Sequence, residues 1–227
     1  MQRTRRGGAV LRRAVGQLRI VGGHWRSRRL RFPAAPGLRP TPDRLRETLF
    51  DWLGEWIVGR RVLDLYAGSG ALGIEALSRG AAEAVFIERS ASVAAALRKN
   101  LARLDVAPSS RQDAGAPTAR IECTDALGFL RDAPGFFDLV FLDPPYASDL
   151  AFASFALLAA NPLLTPDHRV YLEQPTLARI GRDKPRSGAV VNDLPAGWEL
   201  LKSARAGGAR GALLRREAAV TARTEAS

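Results

Sequence analysis

The chain changes its hydrophobic rhythm near residue 60, and the change divides it into a front segment and a longer series. In the front segment, Leu18-Arg19-Ile20-Val21-Gly22-Gly23 and Arg29-Leu30-Arg31-Phe32 set apolar against basic residues. This pattern predicts two short strands around a turn, a hairpin with one cationic face. Residues 33–40 form a connector rich in Pro and Gly. Thr41-Pro42-Asp43 then carries the chemistry of a helix start, with Thr41 as N-cap, Pro42 at the first helical position and Asp43 in the first turn. Leu45, Leu49, Trp52, Leu53 and Trp56 follow at helical spacing.

From Arg60 onward, short apolar runs alternate with amphipathic stretches. Strands are predicted over 62–66, 84–88, 120–123, 137–142 and 169–173, with helices over about 71–79, 91–104 and 149–159. Residues 106–118 are polar and carry Pro and Gly, which predicts a loop, while 198–203 and 209–216 predict a closing antiparallel pair. Strands separated by helices imply βαβ units and a mostly parallel sheet that binds ligands at the carboxyl ends of its strands. The sequence has no internal repeat.

Composition sharpens this picture mainly through charge. The net charge of +11 is concentrated: residues 1–46 hold thirteen arginines against one acid, Asp43, and so carry +12, leaving −1 for the remainder. Such a block is an electrostatic footprint for a polyanion, because each phosphate contact releases condensed counterions. Arginine further favours bidentate contacts to phosphates and bases. For residues 1–17 a solvated basic tail without a dedicated partner is an equal reading. That stretch has no apolar core of a secretory signal, and no apolar run approaches the roughly 20 residues that span a membrane. Cys123 is the only cysteine, which excludes an internal disulfide or a cysteine metal cluster and fits a reducing, cytoplasmic setting. No metal site is expected.

Two motifs carry chemistry. Asp64-Leu65-Tyr66-Ala67-Gly68-Ser69-Gly70-Ala71-Leu72-Gly73 lies where the first strand of the series meets its first helix. Glycine there admits a ligand close to the backbone, and the helix start adds N–H donors. The spacing of Gly68, Gly70 and Gly73, with Glu88 twenty residues beyond Gly68, also matches a dinucleotide fingerprint, so the motif alone suits NAD or S-adenosylmethionine. Asp64, placed to orient the ammonium of a methionine moiety, and Asp125, placed to read an adenine amino group, favour S-adenosylmethionine. Asp125 is equally a helix N-cap.

Asp143-Pro144-Pro145-Tyr146 follows the fourth strand directly. Two prolines fix the backbone and leave carbonyl groups free to face a ligand. An exocyclic amine on a purine ring is a poor nucleophile, because its lone pair is delocalised. Asp143 and the Pro144 carbonyl can each accept one of its N–H bonds and draw the nitrogen toward a tetrahedral geometry. Tyr146 can stack on a base held outside a duplex. The bland reading of the tetrapeptide is a proline turn that ends a strand.

With these residues in hand, the chain resembles the RsmD-type family of small-subunit (16S) ribosomal RNA guanine-N2 methyltransferases over about residues 18–217. The resemblance rests on Arg19-Ile20-Val21-Gly22-Gly23-His24-Trp25-Arg26, on the block from Leu38 to Phe50, on the glycine turn continued to Arg79, and on Asp143 to Tyr146. It implies an α/β, Rossmann-like class I methyltransferase with a mostly parallel seven-stranded sheet, an antiparallel last strand and an N-terminal hairpin and helix that help hold RNA. The implied layout is a basic tail (1–17), the extension (18–59), the methyltransferase domain (60–217) and a C-terminal tail (218–227). S-adenosylmethionine would meet Thr41, Asp64, Tyr66, Ala67, Gly68, Gly70, Glu88 and Asp125, with the Pro40-Thr41 segment closing over its methionine end. Arg19, His24, Trp25, Arg26, Arg28, Arg29, Arg31 and Arg39 would face RNA, although a packed hairpin turn is an equal reading for His24 and Trp25. The implied partner is 16S ribosomal RNA in an assembled or partly assembled small subunit, with ribosomal proteins as further contacts and the enzyme a monomer away from membranes.

The chain departs from the family pattern in its tail, in the long 106–118 loop and in the glycine-rich turn at 206–211. Three other readings fit parts of the sequence. An N6-adenine methyltransferase fits the same tetrapeptide, a non-catalytic ribosome-assembly factor fits the fold and charge, and an NAD-dependent oxidoreductase fits the glycine turn. The last lacks a proton-transfer residue near that turn, since His24 and His168 lie elsewhere in the sequence.

Overall fold

A computed structural model of the chain describes residues 15–34, 41–109, 116–145, 149–176, 194 and 196–216. Most of the basic tail, Arg39, Pro40, Tyr146, the middle of the 106–118 loop and the C-terminal tail lie outside the described residues.

The front segment folds as the predicted hairpin, but its first strand ends at Arg19, so that residues 20–23, expected in that strand, belong to the turn. β1 (Val15–Arg19) and β2 (Arg29–Pro33) pair antiparallel, with Leu18 opposite Leu30 and Arg19 opposite Arg29. Period-two alternation buries Leu18, Leu30 and Phe32 and leaves Arg19, Arg29 and Arg31 exposed. α1 (Asp43–Leu53) buries Leu45, Leu49, Phe50 and Leu53, then tightens into a 3-10 turn (Gly54–Ile57). The expected cap differs. Thr41 is not the N-cap, because the helix opens one residue later at Pro42, whose carbonyl accepts the Leu45 and Arg46 amides at 2.9 and 3.0 Å. The physical reason is that the Thr41 hydroxyl is engaged elsewhere, on the carboxylate of Asp143.

The βα series runs β3 (Arg61–Asp64), α2 (Ala71–Ser78), β4 (Glu83–Ile87), α3 (Ala91–Arg103), β5 (Ala107–Pro108), β6 (Thr118–Glu122), α4 (Ala126–Asp132), β7 (Phe137–Leu142), α5 (Leu150–Ala160), β8 (Leu164–Pro175), β9 (Trp198–Ala206) and β10 (Ala209–Arg216). The sheet order is β5-β6-β4-β3-β7-β8-β10-β9. All pairings from β5 to β8 are parallel, and β10 runs antiparallel to both β8 and β9. The seven expected strands are thus present, with the two-residue β5 added at the outer edge by the long loop.

Alternation along the strands divides the interior in two. Val62, Phe86, Phe141, Tyr171 and Leu213 face a cluster shared with the hairpin, α1, α2 and α3. Leu63, Val85, Val140, Leu172 and Leu214 face α4 and α5. The hairpin therefore packs into the same core as the sheet. It is also pinned by hydrogen bonds to Ser78, whose carbonyl accepts the His24 amide at 2.6 Å and whose Oγ accepts the Trp25 amide at 3.0 Å. The strand order reverses between β3 and β7, and an open parallel sheet presents its ligand crevice at the carboxyl ends there.

Candidate active site

The glycine turn leaves the carboxyl end of β3 and enters α2 at Gly70. Gly68 and Gly70 both adopt left-handed backbone, at φ of 52° and 79°, a region open to glycine at no steric cost. A Cβ on Gly70 would lie 2.5 Å from Leu97 Cδ1. The turn is braced by acids from two strands. Asp64 Oδ2 accepts the Gly73 amide at 3.0 Å, and Glu88 Oε2 accepts the Gly68 amide at 3.0 Å. The Ala67 amide donates to the Ile87 carbonyl at 3.0 Å, holding the turn against the end of β4.

Asp64 is buried, and desolvation raises its pKa from 3.8 to about 7, with the Gly73 amide opposing and the Glu88 charge adding to the rise. A buried carboxylate of this kind favours a proton or a neighbouring cation. Glu88 stands half-buried at the end of β4, and Asp125 lies exposed beyond β6, where its Oδ1 caps α4 through the Gly128 amide at 2.8 Å. Tyr66 donates or accepts a 2.6 Å hydrogen bond with the buried Ser154 on α5. Burial pushes its hydroxyl up, the Ser154 bond pulls it down and the charge of Asp125 adds to the rise.

Asp143 follows β7, the strand beside β3, and is half-buried. Its Oδ2 accepts the Thr41 hydroxyl at 3.2 Å. Desolvation first, and then Glu173, hold the Asp143 carboxyl well above the usual range; the Thr41 bond counters this, and Asp64 adds a smaller push. Glu173 is brought there by register, since Leu142 of β7 pairs with Leu172 of β8. Pro144 is buried and Pro145 exposed.

The structure thus gathers Thr41, Asp64, Asp143 and the glycine turn at the carboxyl end of the central strands, with Glu88 and Asp125 beyond the adjoining strand ends. The expected RNA contacts separate. Arg19, His24, Arg26, Arg28, Arg29 and Arg31 are exposed. Trp25 is a correction: it is 5% exposed and packed in the core beside the hairpin turn, so its indole has no face left for RNA. Arg39 and Tyr146 lie outside the described residues.

Three features were missed in the sequence. Glu173 and Ser154 join the site only through register and helix packing. Arg46 and Glu75 form a fully buried ion pair at 3.1 Å between α1 and α2. Its signal was legible in principle: each is a charge on a helix face that is otherwise apolar, and the two have opposite sign.

The chain as a whole has relatives among known proteins. The family model described as conserved hypothetical protein 95 matches residues 18–202. The Escherichia coli (strain K12) protein named ribosomal RNA small subunit methyltransferase D is 41% identical over 203 residues, spanning 89% of this chain and 92% of that protein. The Haemophilus influenzae protein of the same name is 40% identical over 196 residues, spanning 86% and 91% respectively. Among solved structures, the putative methyltransferase yhhF from Escherichia coli superposes with a TM-score of 0.71 at 38% identity, covering 89% of this chain and 99% of that one.

Proposed function

The chain belongs to the family described as conserved hypothetical protein 95, and on that footing we propose that it transfers a methyl group from S-adenosylmethionine to the N2 amine of a guanine in 16S ribosomal RNA. The observation that carries this reading is the position of Asp143-Pro144 at the carboxyl end of β7, one strand away from the glycine turn of β3.

The residues present suit the methyl donor. Gly68 and Gly70 carry no side chain to hold a ligand off the turn's backbone, and the carboxylate of Glu88 at the end of β4 suits ribose hydroxyls. Asp125 beyond β6 suits an adenine amino group, and the buried Asp64, which favours a nearby cation, suits the methionine ammonium. Bound there, the cofactor supplies an electrophilic methyl group on a sulfonium sulfur.

Asp143 and the Pro144 carbonyl each accept one N–H of the target amine, which localises the nitrogen lone pair for in-line attack. Their contribution is positioning and electrostatic stabilisation of the charge that develops on nitrogen. No strong base is needed before transfer, because the methylated nitrogen is acidic once it carries positive charge. Asp143, whose carboxyl holds a proton more tightly than an ordinary one, is placed to take that proton at a carboxylate oxygen. Tyr146 is assigned to base stacking on the sequence pattern alone. The exposed arginines of the hairpin hold the RNA backbone, and a monomer acting on an assembled or partly assembled small subunit is the simplest arrangement.

Mass spectrometry of 16S ribosomal RNA from cells with and without the gene tests base and atom together. Loss of an N2-methylguanosine is expected, whereas loss of an N6-methyladenosine would overturn the assignment to guanine. In the purified enzyme, Asp143→Ala should cost about a hundredfold or more in kcat while cofactor affinity persists. Undiminished turnover would remove Asp143 from the mechanism.

A further inference from the structure

A continuous set of hydrogen bonds joins the exposed hairpin to Asp143. Arg46 is fully buried on α1. Its Nη1 donates to Glu75 Oε2 at 3.1 Å, its Nη2 to the Arg19 carbonyl at 2.9 Å and to Asp43 Oδ1, and its Nε to the Thr41 carbonyl at 3.3 Å. Glu75 Oε2 also accepts the Val21 amide at 3.0 Å, and its Oε1 accepts Arg79 Nε at 3.0 Å. One guanidinium thus fixes the end of β1, the start of α1 and Thr41 together, a task for which its planar fork of donors is suited. Thr41 is itself buried and, as the residue before Pro42, restricted to extended backbone. Its hydroxyl ends the path on Asp143 Oδ2.

We propose that Thr41 is a positioning residue for Asp143, held in place by the buried Arg46–Glu75 pair, so that docking of the hairpin sets the orientation of the carboxylate that receives the target amine. This rests on the reading of Asp143 given above. A carboxylate rotates broadly about its last side-chain bond, and either oxygen can point at a ligand. With Oδ2 engaged by Thr41, Oδ1 is, among the described residues, the oxygen left to accept the amine N–H. Among the described residues Thr41 is the hydrogen-bond donor to this carboxylate, whereas the charged groups that bear on it, Glu173 from β8 and Asp64 from β3, are both acids. The hydroxyl therefore also favours the ionised form that accepts two hydrogen bonds.

The test is steady-state kinetics of the full chain on small ribosomal subunits lacking the modification, for wild type, T41V, T41S and R46K, over about pH 5 to 9. T41V should lower kcat by about ten- to a hundredfold, the worth of a hydrogen bond to a charged group. It should displace the acid limb of kcat to higher pH, with KM for the subunit little changed, and T41S should restore both. If the valine disrupts packing, T41A takes its place against T41S. R46K, which keeps the charge near Glu75 but loses the fork, should move the acid limb in the same direction.

An unchanged kcat in T41V overturns the proposal, as does a lower kcat with an unmoved acid limb, which marks a merely structural role. A wild-type profile in R46K overturns the coupling to the hairpin. A wild-type enzyme that leaves the subunits unmethylated at every pH would sink the functional reading instead, so the two failures are distinct.

Discussion

At the scale of single residues, the site is governed by carboxylates that the fold forces into low-dielectric surroundings. Asp64 was legible as an acid within a buried strand from its place after Val62-Leu63, but its pKa near 7 was not, because desolvation is set by α2 closing over the strand. The folded state holds the Asp64 proton more tightly than the unfolded chain does. The protein therefore binds extra protons between about 3.8 and 7, and this contribution to stability is lost as pH rises through that window. Asp64→Asn, which retains an acceptor for the Gly73 amide, should flatten the dependence there and raise the melting temperature relative to wild type above pH 7. The full linkage amounts to about 4 kcal/mol as an upper figure. Parallel melting curves for the two proteins across the window would show that Asp64 titrates normally. His168 contributes with the opposite sign: burial lowers its pKa, and its Nε2 accepts the Arg216 amide at 3.0 Å, so it stabilises the neutral form in both proteins alike.

At the scale of elements, hairpin, α1 and glycine turn are each legible in the sequence, whereas the way they dock is not. Local periodicity specifies which face of a strand is apolar, and it cannot specify which neighbour covers that face. The dock depends on Gly23, which has φ of +73° and whose added Cβ would lie 1.9 Å from the Ser78 carbonyl oxygen. Gly23→Ala meets both backbone strain and a clash with backbone, at a cost of about 1–3 kcal/mol. Hydrogen exchange should then speed up at the amides of β1 and β2 and of Trp25 while the amides of β3 and β7 keep their protection. Equal acceleration throughout would mean that the hairpin and sheet open as a single unit. Thr41 illustrates the same limit. Its residue type suits a hydrogen-bonding side chain ahead of a helix, but a partner 102 residues away claims the hydroxyl.

At the scale of the whole molecule, charge and topology divide the work. The basic excess confined to the first 46 residues is displayed in the structure as exposed Arg19, Arg26, Arg28, Arg29 and Arg31 on and around the hairpin. Arg19 is paired with the half-exposed Asp43 at 3.0 Å, and an exposed pair of this kind is weak enough to yield to a phosphate. Replacing Arg26, Arg28, Arg29 and Arg31 by alanine one at a time should lower the slope of log affinity against log salt by about 0.7–1 for each phosphate no longer neutralised. Filter binding or fluorescence titration on a 16S ribosomal RNA fragment checks this. Slopes that stay at the wild-type value would place the RNA on another face.

The alternating βα order, the amphipathic hairpin, the glycine turn and the place of Asp143-Pro144 after a strand were all written in the sequence. All of these follow from short-range periodicity, from steric rules at glycine and proline, or from residue type. Only the folded arrangement puts Glu173 beside Asp143, turns the Thr41 hydroxyl to Asp143 instead of to α1, makes Trp25 core and joins Arg46 and Glu75 in one buried pair. These depend on strand register and helix packing between residues far apart in the chain, where burial sets each group's electrostatics and its available partners.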